Sequence, residues 1–183
     1  MDASSPATAL KRFDASQGPR NIGPEDGHYV QLPGVGVRFM LWTEESGGDV
    51  SVVEHPIAPR TLCAPLHRHS REDEYSFVLE GRMGAQLGDE VVYAEAGDFV
   101  FKPRDQWHTF WNAGDEPCRI LEIIAPGGFE HFFVELGAVE GPPSDEVMGE
   151  LTARYGVEFD MEATAKIAAE HGLTFPPLEA LNT

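Results

Sequence analysis

Pro65-Leu-His-Arg-His-Ser-Arg-Glu-Asp-Glu-Tyr-Ser-Phe-Val-Leu-Glu-Gly81 is the stretch around which this 183-residue chain is organised. His67 and His69 are separated by a single residue. Residues i and i+2 of a β-strand point to one face with Cα atoms roughly 6.5–7 Å apart, so both imidazoles can lean onto one metal ion. Glu74 stands at an odd offset from His69, and a straight strand would carry it to the opposite face. The polar run Ser70-Arg71-Glu72-Asp73 supplies a bend that returns Glu74 to the same interior. Glu72 and Asp73, inside that bend, are expected to face solvent. Two histidines and a carboxylate with open positions suit a divalent transition metal.

A second stretch, Gly97-Asp-Phe-Val-Phe-Lys-Pro-Arg-Asp-Gln-Trp-His-Thr-Phe-Trp-Asn112, makes the pattern specific. The first stretch resembles the cupin signature of His-x-His, four residues, Glu, six residues, Gly, matched at His67, His69, Glu74 and Gly81. The second resembles the family's other motif, matched at Gly97, Pro103, His108 and Asn112. Fifteen residues, 82–96, separate the two, as in small microbial monocupins. The resemblance is close over about residues 60–125. It implies an all-β fold, a cupin β-barrel (double-stranded β-helix or jelly roll), with His67, His69, Glu74 and His108 around one metal. Two positions depart from the pattern: Thr61 and Asp105 stand where the family often has Gly. Asp tolerates positive φ better than most residues, so the turn at Asp105 is expected to persist.

The composition narrows the partners. A net charge of −18 repels phosphate backbones and anionic membranes, so nucleic-acid and membrane binding are not expected. The two cysteines, Cys63 and Cys118, are too few for a disulfide framework and read as small buried hydrophobes in a reducing cytoplasm. The first ten residues lack a basic and apolar signal, and no apolar run is long enough for a transmembrane helix.

Residues 1–27, rich in Ser, Ala, Pro and Gly, read as an N-terminal arm. From His28 to about residue 126, short β-rich runs alternate with turns, as in a sandwich or barrel. Val50 to Pro56 reads as a strand closed by Pro56 and Pro59, and Gly88-Asp89-Glu90 as a hairpin turn. Residues 127–183 form a helical extension. Phe129, Phe132, Phe133 and Leu136 fall on one stripe of a helix expected to pack outside the barrel. Ser144 and Gly156 read as the caps of a second helix, and Asp160 to Glu170 as a third.

With Glu74 inward, Ser76 and Val78 follow on the same face, as Phe110 does from His108. Ser76, Val78 and Phe110 are therefore the expected substrate walls, and Asn112 a structural turn residue. His28, His55, His131 and His171 show no partner pattern and read as surface or core residues. The ion implied is iron, nickel, manganese, copper or zinc, with about two open positions. The chain is also generally similar to quercetinase-like monocupins, which act on flavonols. That resemblance implies a metal-dependent dioxygenase for a small, oxygenated, aromatic substrate, with Glu74 as ligand or general base. A non-redox isomerase or cyclase and a non-catalytic ligand-binding module remain open alternatives. The family habit also implies a homodimer.

Overall fold

A computed structural model describes Pro19 and residues 21–175. Most of the expected N-terminal arm lies outside the described residues. Two antiparallel sheets face each other. One holds six strands in the order β1 (His28–Leu32), β2 (Val35–Leu41), β3 (Ser51–Ile57), β10 (Cys118–Ala125), β5 (Asp73–Glu80) and β8 (Phe99–Lys102). The other holds β11 (Val157–Asp160), β4 (Leu66–His69), β9 (His108–Asn112), β6 (Arg82–Leu87) and β7 (Glu90–Glu95). The expected all-β barrel is thus present.

The inner faces follow the period of two. On β5, Glu74, Ser76 and Val78 are buried, whereas Tyr75 and Phe77 are not. On β10, Cys118, Ile120, Glu122 and Ile124 alternate inward. β8 inverts the usual chemistry: Phe99 and Phe101 point out to solvent, and Val100 and Lys102 point in. The core between the sheets contains Val37, Phe39, Val53, Val78, Met83 and Ile120. Burying a side chain of this size contributes roughly 1.5–3 kcal/mol.

Turn chemistry agrees with the sequence at several points. Gly88 and Asp89 join β6 to β7, and Gly88 has φ 60°. Asp105 takes φ 63°, so it occupies the left-handed region where the family often has Gly. Pro56 departs from expectation. It lies inside β3, paired with Arg119, and does not end the strand. The β2–β3 register places Pro56 opposite Gly36, whose carbonyl accepts a bond from Nδ1 of His55 at 3.1 Å. A side chain thus supplies a donor to that carbonyl beside a residue without an N–H.

The C-terminal segment contains three helices, α1 (Glu130–Gly137), α2 (Asp145–Tyr155) and α3 (Met161–His171). Ser144 Oγ accepts from Val147 N at the start of α2, and Gly156 closes it with φ 65°. Asp160 caps α3 by accepting from Ala163 N at 2.8 Å. α3 covers the outer side of β9, where Trp111 packs in one buried cluster with Leu62, Leu66 and Ile167.

Two features of this segment differ from the sequence reading. Four of the five residues between α2 and α3, Val157–Asp160, form β11, which pairs with β4 in the register Val157↔His69 and Phe159↔His67. α1 does not lie on an outer wall. Phe129, Phe132, Phe133 and Leu136 line the cavity that runs into the barrel. The stripe was visible in the sequence, but the face that it meets depends on the open end of the barrel.

Candidate metal centre

His67 and His69 come from β4, and His108 from its neighbour β9, where it pairs directly with His67. Glu74 comes from β5 in the facing sheet. The bend at residues 70–72 carries the chain from one sheet to the other, which accounts for the odd offset. All four side chains are buried, and each offers a ligand atom within 4.8 Å of the others.

The hydrogen bonds of the imidazoles prepare them for a cation. Nδ1 of His67 lies 2.7 Å from the carbonyl of Pro65, and Nδ1 of His108 lies 2.9 Å from that of Gln106. A carbonyl only accepts, so each Nδ1 carries a proton. Nε2 of His67 keeps its lone pair, while Nε2 of His108 lies 3.2 Å from Oε2 of Glu74, which it meets as a donor or, unprotonated, across a shared cation. His69 is fully buried, yet among the described residues neither ring nitrogen has a hydrogen-bond partner. Its Nε2 sits 3.2 Å from Oε1 of Glu74, and its Nδ1 sits 3.7 Å from Oε2 of Glu72. A buried ring with both nitrogens unsatisfied is costly unless something binds there. Three imidazole donors and one carboxylate fit a divalent transition metal. The ring of Phe129 packs edge-on against His69 at 4.2 Å and limits its rotation.

Glu72 corrects the expectation of a solvent-facing bend: it is buried beside His69. Burial pushes its carboxyl above the usual range. A carboxylate behind a ligating imidazole orients the ring and raises its basicity. Asp73 turns outward to pair with Arg104 at 2.8 Å.

Behind Glu74 lies a charged pair of residues that the sequence reading did not single out. Lys102 is wholly buried, and its Nζ donates to Oε2 of Glu74 and to Oε2 of Glu122, both at 2.8 Å. Ser76 donates to the same Glu122 oxygen at 2.8 Å. Burial opposes charge on Glu74, but Lys102 and the neighbouring histidines hold its carboxyl well below the usual range. Burial pushes Glu122 up to about 7 against the pull of Lys102. For His67, burial and the adjoining imidazoles both push the pKa well down, which favours the neutral ligand form. The inverted pattern of β8 was the available signal for Lys102. A lone Glu among the inward positions of β10 was the signal for Glu122.

One cavity of about 110 Å³ opens onto this cluster. Phe110, Phe129, Phe132, Phe133 and Phe159 supply its aromatic wall. His67, Glu74, Glu122 and His55 bring polar groups to it. Of the three expected substrate walls, Phe110 lines the cavity. Ser76 lies behind it with its hydroxyl engaged by Glu122, and Val78 is packed in the core. Asn112 donates to the carbonyls of Ile57 and Glu116 and accepts from Gly114 N, so it ties a turn together. A second acidic group, Glu44, Glu130 and His131, is structural at its centre. Glu130 accepts from Thr43 N and Gly128 N through its two oxygens.

Comparison with known proteins agrees with this geometry. A family model described as a cupin domain matches residues 54–124. The polyketide synthase protein CurC of Streptomyces cyaneus is 33% identical over 60 residues, which cover 33% of this chain and 39% of that protein. The curated relatives matched are each covered over only 39% to 50% of their length. KdgF from Halomonas sp. superposes with a TM-score of 0.54 at 16% identity, over 62% of this chain and 98% of that one. A predicted oxalate decarboxylase of Thermotoga maritima superposes with a TM-score of 0.55 at 18% identity, over 58% and 99%. At such identities the two structures speak for a shared fold. Residues 54–124, which match the cupin-domain model, lie within the barrel described above, so this part of the chain is similar to the cupin family in sequence and in fold.

Proposed function

We propose that this protein is a metal-dependent oxygenase acting on a small hydroxylated aromatic molecule. The observation that carries this reading is the cavity itself, an aromatic chamber whose inner end is formed by His67 and Glu74. Its volume of about 110 Å³ is on the scale of a single ring. A three-ring flavonol would have to displace part of the α1 lining.

A bound divalent ion supplies Lewis acidity toward an oxygen substituent and, if it is iron, manganese, nickel or copper, redox chemistry toward dioxygen. The chain's own residues do the rest. The phenylalanine walls orient the ring and exclude water. Glu74, held as a carboxylate beside Lys102, accepts the proton of the substrate hydroxyl through a carboxylate oxygen. Lys102 balances the charges of Glu74 and Glu122 and keeps the Glu74 carboxylate pointed at the histidines.

A second reading, a non-redox isomerase or cyclase, is favoured by the Glu74–Lys102–Glu122 chain. Three linked titratable groups suit proton transfer without an electron step. The kinship with a protein named as part of a polyketide synthase points the same way. Oxygen separates the two readings. Protein loaded in turn with iron(II), manganese(II), nickel(II) and copper(II) is offered catechols, flavonols and cyclic diketones in an oxygen electrode. The proposal expects oxygen uptake with at least one pairing, lost in His67→Ala. Product formation under strict anaerobiosis, or no oxygen uptake with any pairing, refutes it.

A further inference from the structure

His55 stands apart from the metal cluster and yet faces the same cavity. It is 97% buried on β3, the strand that pairs with β10 on one side and β2 on the other (3% relative exposure). Its Nδ1 lies 3.1 Å from the carbonyl of Gly36, which can only accept, so Nδ1 carries the ring proton. Gly36 is fixed in this role. A side chain there would come within 2.1 Å of the Tyr29 hydroxyl and 2.7 Å of Pro56. The tautomer of His55 is therefore set by the sheet, and Nε2 is left with a lone pair. Among the described residues no hydrogen bond reaches that atom. Burial pushes the pKa of His55 down to about 4, so the lone pair persists at neutral pH.

The surroundings hold the ring rather than satisfy it. Phe110 lies tilted at 6.0 Å between ring centroids, and Phe133 meets it edge-on at 5.7 Å. Of the other polar groups of the cavity, Oε1 of Glu122 is likewise without a hydrogen-bond partner among the described residues, and the rest are committed. His67 and Glu74 belong to the metal cluster, and Oε2 of Glu122 accepts from Ser76 and Lys102. An unpaired acceptor in an aromatic wall asks for a donor that the protein does not supply.

We propose that Nε2 of His55 accepts a hydrogen bond from a second hydroxyl of the substrate, so that the cavity selects an aromatic diol held by the metal cluster through one oxygen and by His55 through the other. This rests on the aromatic-substrate reading above and narrows it from hydroxylated rings to rings with two hydroxyls. The selection is strong in principle, because a site built to pair a hydroxyl rejects an analogue that leaves its buried group unpaired.

The test uses zinc-loaded full-length protein, which is redox-silent, and reads binding by calorimetry. The probes are catechol, resorcinol and hydroquinone, each beside its monomethyl ether and beside phenol. The proposal expects at least one diol to bind about fivefold or more tightly than its own ether and than phenol. In His55→Phe, which keeps the ring and removes the acceptor, that preference disappears while phenol still binds. In His55→Gln, whose amide oxygen can accept, part of the preference returns. Equal binding of every diol and its ether in the wild type overturns the proposal, as does a preference that survives in His55→Phe. Phenols binding without discrimination would leave the aromatic-substrate reading standing and remove the His55 role. Absence of binding by every phenol, with and without zinc, would remove both.

Discussion

Nζ of Lys102 lies 2.8 Å from Oε2 of Glu74, with both groups buried inside the barrel. An ammonium is thus hydrogen-bonded to the carboxylate of the candidate ligand set, on strands paired in register at these two residues. The same ammonium donates to Glu122, and the ring of Phe110 lies under it at 4.3 Å. Removing one partner of such a buried arrangement strands the others.

Lys102→Met should therefore destabilise the protein by about 3–5 kcal/mol, because two buried carboxyl groups lose their counter-charge. Urea denaturation of chelator-treated protein measures this as a fall in the midpoint. Adding Glu122→Gln to the same chain should recover part of the loss, since one stranded charge is then removed. An unchanged midpoint for Lys102→Met would mean that the ammonium is not a structural counter-ion.

Glu72 should tune metal affinity without ligating. Its Oε2 stands 3.7 Å from Nδ1 of His69, on the side of the ring away from Glu74. Glu72→Gln is expected to weaken zinc binding by roughly 10- to 100-fold while keeping one site per chain. Competition against a chelator of known affinity gives the number. Loss of stoichiometry instead of affinity would make Glu72 a ligand.

Stability should carry an acid limb from His55. Its pKa is lowered from 6.5 to about 4 by burial, so the unfolded chain binds its proton first as pH falls. The stability contributed by the neutral buried ring is present above pH 6.5 and is lost as pH falls toward 4. The shift is worth about 3 kcal/mol over that window. Glu122 acts oppositely: raised to about 7, it favours the folded state at low pH and loses that contribution as pH rises toward 7. Comparing wild type with His55→Phe at each pH cancels the Glu122 part. The difference between the two stability profiles should change by about 3 kcal/mol between pH 6.5 and 4. Parallel profiles would show that His55 keeps an ordinary pKa.

Much of this was legible in the sequence because it lies in spacing. His67, His69, Glu74 and His108 occur at intervals that strands and one bend convert into a cluster, and Ser144 and Gly156 mark their helix ends by local chemistry. Where the outcome depended on tertiary contact, the sequence was silent. Glu72 sits in a polar bend and looks exposed, yet it is buried beside His69 of β4. Lys102 and Glu122 stand on inward positions, but their partners are on other strands, 28 and 20 residues away from Lys102 in sequence. β11 is four residues long and lacks the length for a periodic signal. His55 precedes a proline, which suggested a strand end. The structure instead runs β3 through that proline and turns the imidazole toward the cavity.

The central claim is that His67, His69, Glu74 and His108 hold one metal ion. Elemental analysis of the protein purified without metal supplementation tests it most directly. The account predicts about one transition-metal ion per chain, reduced to background when His67 and His108 are both changed to Ala. Protein that carries no stoichiometric metal, and that takes up no added iron, nickel, manganese or zinc, would contradict it.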